Sequence, residues 1–134
     1  MNKFFLKMVK WIPATLIFAV SWHLSSLEKI ECMPSFRFAD KVVHGICFAG
    51  LAFWVAFACG TNRMKKIPLP IAITSIYGII DEFHQRFTPG RESSVFDWAA
   101  DTVGAAFGSI CFVLIFCAIE RILAKRRKYE SPKN

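Results

Sequence analysis

Of 134 residues, 54% are hydrophobic and the mean hydropathy is +0.40, above the roughly 45–50% apolar share usual for soluble domains. Fourteen Phe and four Trp against seven Gly exclude disordered, collagenous and low-complexity chains, and the formal charge of +7 leaves a small basic membrane protein as the class that fits. One domain's worth of residues has no room for a transmembrane bundle beside a soluble catalytic domain, so residues 1–134 read as a single integral membrane unit.

Four apolar stretches point to an all-α transmembrane four-helix bundle, each judged against the roughly 20 residues that cross about 30 Å of hydrocarbon. The first covers roughly residues 4–27, with Lys7 and Lys10 near its start. It resembles a secretory leader, but no small-x-small cleavage site follows, because the run passes into Ser21-Trp22-His23-Leu24-Ser25-Ser26. The expectation is therefore a mature helix with His23 as an interfacial anchor. The second, roughly 42–59, stops at Gly60-Thr61-Asn62. The third, roughly 67–87, has Pro68 and Pro70 in its first turn, where proline costs least, and its apolar part ends at Ile80. That part is too short to span, so the helix is expected to run on through Asp81-Glu82-Phe83-His84-Gln85 and carry charge to the membrane surface or below it. The fourth, roughly 94–120, follows the turn Thr88-Pro89-Gly90, with Ser94 as N-cap and Ser94-x-x-Asp97 as a capping box.

Cys47, Cys59, Cys111 and Cys117 fall inside these apolar runs and are expected to act as small hydrophobes; Cys32 is placed in a loop. With no CxxC pair there is no zinc-ribbon or thioredoxin signature. The basic surplus gathers at helix ends, above all in Arg121, Lys125, Arg126, Arg127 and Lys128, which suits lipid headgroups rather than nucleic acid. Twelve Lys and Arg fall in the N-terminal end, the second loop and the C-terminal tail, against five (Lys29, Arg37, Lys41, Arg86, Arg91) in the first and third loops. The positive-inside rule then gives a cell-membrane protein with both termini cytoplasmic and its polar residues clustered at the outer face.

Helical angles of 100° per residue group these polar residues. Ser75, Gly78, Glu82 and Gln85 share one stripe of the third helix, with Asp81 about 100° from Glu82 and His84 nearly opposite it. Asp97, Asp101, Gly104, Gly108 and Cys111 share a stripe of the fourth, where glycines permit close helix contact. On the second helix Gly45, Ala49, Ala52 and Ala56 form a seam from which His44 is displaced by roughly 110°. Asp101 lies about 9 Å into the fourth run and needs a proton, water or a basic partner, for which Arg91, Arg86 and His44 are the candidates. One turn from Asp97, it is expected to hold about one negative charge jointly with that residue. The candidate catalytic groups are Glu82, Asp97 and His44, as acid, base or proton shuttle. The candidate substrate-binding groups are Asp40, Asp81, His84, Gln85, Arg91, Ser93 and Asp101, with Arg91 suited to a bidentate anion contact. No HxxxH or HExxH pair exists and His84 points away from Glu82, so no metal and no cofactor is expected. A serine nucleophile at Ser93 or Ser94 with His44 as base is conceivable, although no G-x-S-x-G elbow is present.

Asp40-Lys41-x-x-His44, then Asp81-Glu82-Phe83-His84-Gln85-x-Phe87-x-Pro89-Gly90-Arg91-x-Ser93, then Asp97, Asp101 and Gly104, together resemble the signature of VanZ-like membrane proteins. The likeness covers about residues 25–108, with Asp101 where that family usually shows Asn and Phe48 where Tyr is common. It implies a multi-pass protein of the bacterial envelope, with some relatives linked to reduced susceptibility to glycopeptides such as teicoplanin, and it implies no settled reaction. Three functions are compatible with the residues. The favoured one is an outer-leaflet polar cavity binding or modifying a lipid-linked or wall-polymer substrate. The second is a non-catalytic scaffold or binding protein whose polar groups fix helix packing. A small proton-coupled carrier is third, weakened by the absence of a visible inverted repeat.

Overall fold

The computed structural model describes residues 2–28, 38–91 and 93–130. Cys32, Lys29 and Arg37, which the sequence reading places in the first loop, lie outside the described residues. All regular structure among the described residues is helical: α1 (Lys3–Val9), α2 (Ile12–Ser25), α3 (Ala39–Ala58), a 3-10 turn (Met64–Lys66), α4 (Pro68–Gln85) and α5 (Val95–Glu130).

The expected first helix is two helices end to end, and the cause is Pro13. It has no N–H to donate and its ring opposes the carbonyl four residues back, that of Val9, where α1 ends. Together α1 and α2 still offer a 22-residue stretch, Phe4–Ser25, apolar enough to cross a membrane. Helix α3 is closed as its sequence predicts. Gly60, with φ of 66°, follows Cys59, and the N–H groups of Gly60 and Thr61 reach back to the carbonyls of Phe57 and Ala56, a Schellman arrangement. Helix α4 begins at Pro68 and ends at Gln85, two residues short of expectation.

Helix α5 has 36 residues and continues ten past its expected end. At 1.5 Å per residue it is about 54 Å long, well over the hydrocarbon thickness of about 30 Å. Its last turns, from Glu120 to Glu130, are Arg, Lys, Glu, Leu and Ala in the main, good helix formers with no glycine or proline to stop them. Three helical stretches, Phe4–Ser25, Ala39–Ala58 and Val95–Glu130, are long and apolar enough to cross a membrane; α4, with Asp81 and Glu82 in its last turns, is the more polar fourth member.

The closest pair is α3 with α5. A Cβ placed on Gly104 would overlap the carbonyl of Gly45, and one on Gly108 would overlap that of Ala49. The expected glycine stripe of α5 therefore lies against the expected Gly45–Ala49 seam of α3, backbone on backbone, as van der Waals packing in lipid favours. Phe48, Leu51 and Val55 fill the interior on the other side of α3, and Ala56, Phe112 and Val113 close the end nearer the 3-10 turn. Large apolar side chains such as Phe83, Phe96, Val103 and Phe107 stay exposed on the outside of the bundle, the surface a lipid would cover. Cys47, Cys111 and Cys117 are free thiols within the helices, and Cys59 is a free thiol at the C-cap of α3.

Candidate functional site

The chain direction alternates, so the end of α2, the start of α3, the end of α4 and the start of α5 meet at one end of the bundle. Nearly every polar group singled out from the sequence lies there. Buried in it are Ser25, Asp81, Glu82, Gln85, Thr88, Asp97 and Asp101.

Asp97 and Asp101 face α3 from successive turns of α5. The sequence reading couples the two carboxylates to each other; in the structure each has its own partner. Lys41 Nζ donates to Asp97 Oδ1 at 2.7 Å, and His44 Nδ1 lies 3.1 Å from Asp101 Oδ1. Lys41 and His44 are three residues apart on α3, and the aspartates four apart on α5, so both pairs line up across the close glycine contact. Among the partners expected for Asp101, it is thus His44 that meets it. His44 is inward after all, its side chain 10% exposed, with Nε2 4.0 Å from Oδ1 of Asp40 on the solvent side. Lys41, counted with the first loop by its charge, lies in the first turn of α3, and its position one helical turn before His44 is the sequence signal that places it here.

Glu82 alters the cap of α5. In a capping box the acid at Asp97 would accept from the Ser94 N–H. Here that N–H donates instead to Glu82 Oε2 at 2.8 Å, across from α4, and the Ser94 hydroxyl accepts from Phe96 N–H at 3.2 Å. Glu82 thus does the capping work and leaves Asp97 to Lys41.

Asp81 belongs to a different group. Its Oδ1 accepts from Ser25 Oγ at 2.6 Å and its Oδ2 from Gln85 Nε2 at 3.1 Å, while Thr88 Oγ1 donates to the Ser25 carbonyl at 3.2 Å. Helical angles put Asp81 off the Glu82 stripe, yet it is 1% exposed because α2 covers that flank with Ser25. His84, as its angle implies, lies away from Glu82. It stacks on Trp22, centroids 4.0 Å apart, with Nε2 3.0 Å from Ser26 Oγ. The candidate set is therefore split: Asp81, Gln85 and His84 serve the α2–α4 contact, while Glu82, His44 and Asp101 converge.

In that convergence His44, Glu82 and Asp101 each offer a ligand-type atom within 4.8 Å of the other two. Glu82 Oε1 and Asp101 Oδ2 are buried without a hydrogen-bond partner among the described residues. Phe48 walls the group off from the bundle interior, its ring stacked between His44 and Tyr77 at 6.2 and 5.7 Å. Beside it a cleft of about 260 Å³ opens between α4 and α5. Glu82, Arg86, Ser93 and Ser94 form its polar side, and Ile79, Phe83, Val95 and Trp98 its apolar side. Ser93 is exposed at this cleft, and Arg91, held by its backbone N–H to the Thr88 carbonyl, keeps a buried Nε without a hydrogen-bond partner among the described residues.

Comparison with protein families matches residues 1–116 to the family described as VanZ/LLP1. No curated protein and no solved structure matches the chain.

Proposed function

The chain belongs to the VanZ/LLP1 family of membrane proteins, and from that premise we propose that its polar end receives the headgroup of a lipid-linked or wall-polymer substrate at the outer leaflet. The cleft between α4 and α5 is the observation that carries this reading. One wall is polar, from Glu82, Arg86, Ser93 and Ser94; the other presents Ile79, Phe83 and Val95, which are 53%, 59% and 76% exposed and so stand against lipid. An amphiphile needs such a division, with its chain left in the bilayer and its head drawn sideways into a protein pocket. Arg86 and Arg91 supply charge for an anionic head. Glu82, with one oxygen unpartnered among the described residues, and His44, held between two carboxylates, are the groups placed for acid–base work on it; Asp97, paired with Lys41, holds the mouth of α5 in position. Altered glycopeptide susceptibility, teicoplanin above all, follows if that substrate is a wall precursor.

The outward placement rests on charge. Twelve of the 17 Lys and Arg fall, along the sequence, in the N-terminal end, the loop before α4 and the C-terminal tail, so both termini are cytoplasmic in this reading. Cysteine labelling in intact cells, in a background stripped of the native cysteines, checks it: Arg91→Cys reacts with an impermeant reagent and Lys65→Cys does not. The reverse pattern inverts the topology and removes the wall substrate.

A scaffold reading is favoured by one region, the Ser25–Asp81–Gln85 group, in which both carboxylate oxygens are satisfied within the protein. Glu82→Gln and His44→Gln separate the two readings. The active site reading expects both to reach the membrane at wild-type level yet lose the susceptibility phenotype and the matching change in wall-precursor lipids seen by mass spectrometry. Full retention by both variants leaves the scaffold.

A further inference from the structure

We propose that His44, Glu82 and Asp101 form a binding site for one divalent transition-metal ion, of the zinc or manganese class. The residues come from three different helices, which is why no spacing motif announces them. Their donor atoms lie within 4.8 Å of one another, and His44 Nδ1 is 3.1 Å from Asp101 Oδ1. Ligands at about 2.0–2.2 Å from a common ion stand about 3.0–3.6 Å apart at neighbouring positions and somewhat farther when opposed, so small side-chain rotations bring all three into range.

The second observation is the state of the oxygens. Glu82 is 6% exposed and Asp101 0%, and Glu82 Oε1 and Asp101 Oδ2 are without hydrogen-bond partners among the described residues. Two buried carboxylates with an oxygen left over on each are costly unless a cation or a proton meets them. Lys41, the ammonium closest in sequence to His44, is committed to Asp97 at 2.7 Å. A cation lying between the carboxylates and the imidazole answers both needs, replacing the hydrogen that otherwise joins His44 to Asp101. Asp40 Oδ1, 4.0 Å from Nε2, stands where ligating histidines commonly direct their other N–H.

One imidazole and two carboxylates select against magnesium and calcium, which take oxygen ligands, and suit zinc or manganese. Three protein donors leave coordination positions open, and Glu82 also lines the 260 Å³ cleft. A phosphate or carboxylate oxygen entering from that side would fill one; this use of the ion rests on the function proposed above, whereas ion binding itself does not.

The test uses the full chain, purified in detergent without a histidine tag and stripped with a chelator, then titrated with Zn²⁺, Mn²⁺ and Mg²⁺ in separate arms. Calorimetry and elemental analysis are expected to give one Zn²⁺ or Mn²⁺ per chain, reversed by chelator, with no saturable Mg²⁺ binding. His44→Gln, Glu82→Gln and Asp101→Asn each weaken that binding by at least about 100-fold, the upper value seen for mere supporting residues. His23→Ala and His84→Ala, whose imidazoles lie outside the cluster, leave it within threefold. Pulsed EPR of the Mn²⁺-loaded wild type shows coupling to an imidazole nitrogen, a readout that needs no variant to fold. Absence of stoichiometric binding, absence of that coupling, or retention of wild-type affinity in the folded Glu82→Gln or Asp101→Asn protein overturns the site. Because no substrate is present, a metal-free protein with a carboxylate-dependent phenotype leaves the functional reading standing, and a metal-binding protein without one does the reverse.

Discussion

Asp81 and Asp101 are both buried carboxylates at the same end of one small bundle, and their surroundings differ in kind. Asp81 is enclosed by donors: Ser25 Oγ takes one oxygen and Gln85 Nε2 the other. Among the described residues Asp101 has only His44, on Oδ1, and its Oδ2 is left over, as is Oε1 of Glu82. A carboxylate whose hydrogen bonds are complete behaves as a strut, since any ligand would have to displace a bond already made. One with unfilled acceptor capacity is held ready for a cation, a proton or a substrate donor. Adjacent residues in the chain, Asp81 and Glu82, thus fall on opposite sides of that division because α2 covers one and α5 the other.

The comparison depends on the contact that holds both groups in place, so the largest effect is expected there. Gly108→Val drives a side chain into the Ala49 carbonyl and separates α3 from α5; the loss should reach or exceed the upper part of the about 1–3 kcal/mol range for overpacking. Detergent melting curves and membrane yield measure it. Next in size is the strut. Asp81→Ala leaves the buried Ser25 hydroxyl and the Gln85 amide short of a partner, at about 1–3 kcal/mol, and Asp81→Asn should recover part of that. An effect of Asp81→Ala on susceptibility at unchanged stability would erase the distinction between the two carboxylates.

Lys41→Met should follow, at about 1–2 kcal/mol, between the values for exposed and buried pairs, because the Lys41 side chain is 33% exposed and Asp97 only 4%. The double variant with Asp97→Asn should regain most of it in a double-mutant cycle; strict additivity would show that the pair is not coupled. The smallest effect on stability belongs to Asp101→Asn. An amide still accepts from His44 and a buried charge is gone, so with metal removed its melting temperature should stay within the equivalent of about 1 kcal/mol of wild type or rise. A marked fall at pH 5 through 8 alike would make Asp101 a strut like Asp81.

The architecture was legible because lipid imposes it. Apolar length, the Gly60 stop, the proline starts and the glycine stripe of α5 each state a local requirement that the residue satisfies on its own, and the α3–α5 contact is the one those stripes imply. Pro13 states such a requirement too, that a helix should break four residues before it, and the long continuation of α5 is written in helix-forming Lys, Arg and Glu; hydropathy carries neither signal, because it reports where lipid lies rather than where a helix ends. Glu82, Gln85, Asp97 and Asp101 were found inward as their angles on the helix require.

What only the tertiary structure decided is the pairing. The angle of Asp81 on its own helix cannot tell that Ser25 of α2 will cover it, and the capping-box pattern at Ser94 cannot tell that Glu82 will take the N–H first. His44, Glu82 and Asp101 lie 38 and 19 residues apart in the chain, so no local spacing brings them together. Their meeting depends on the depth to which α3, α4 and α5 slide past one another, and that is fixed by the glycine contact and the packing of Phe48, interactions between helices that a one-helix periodicity does not contain.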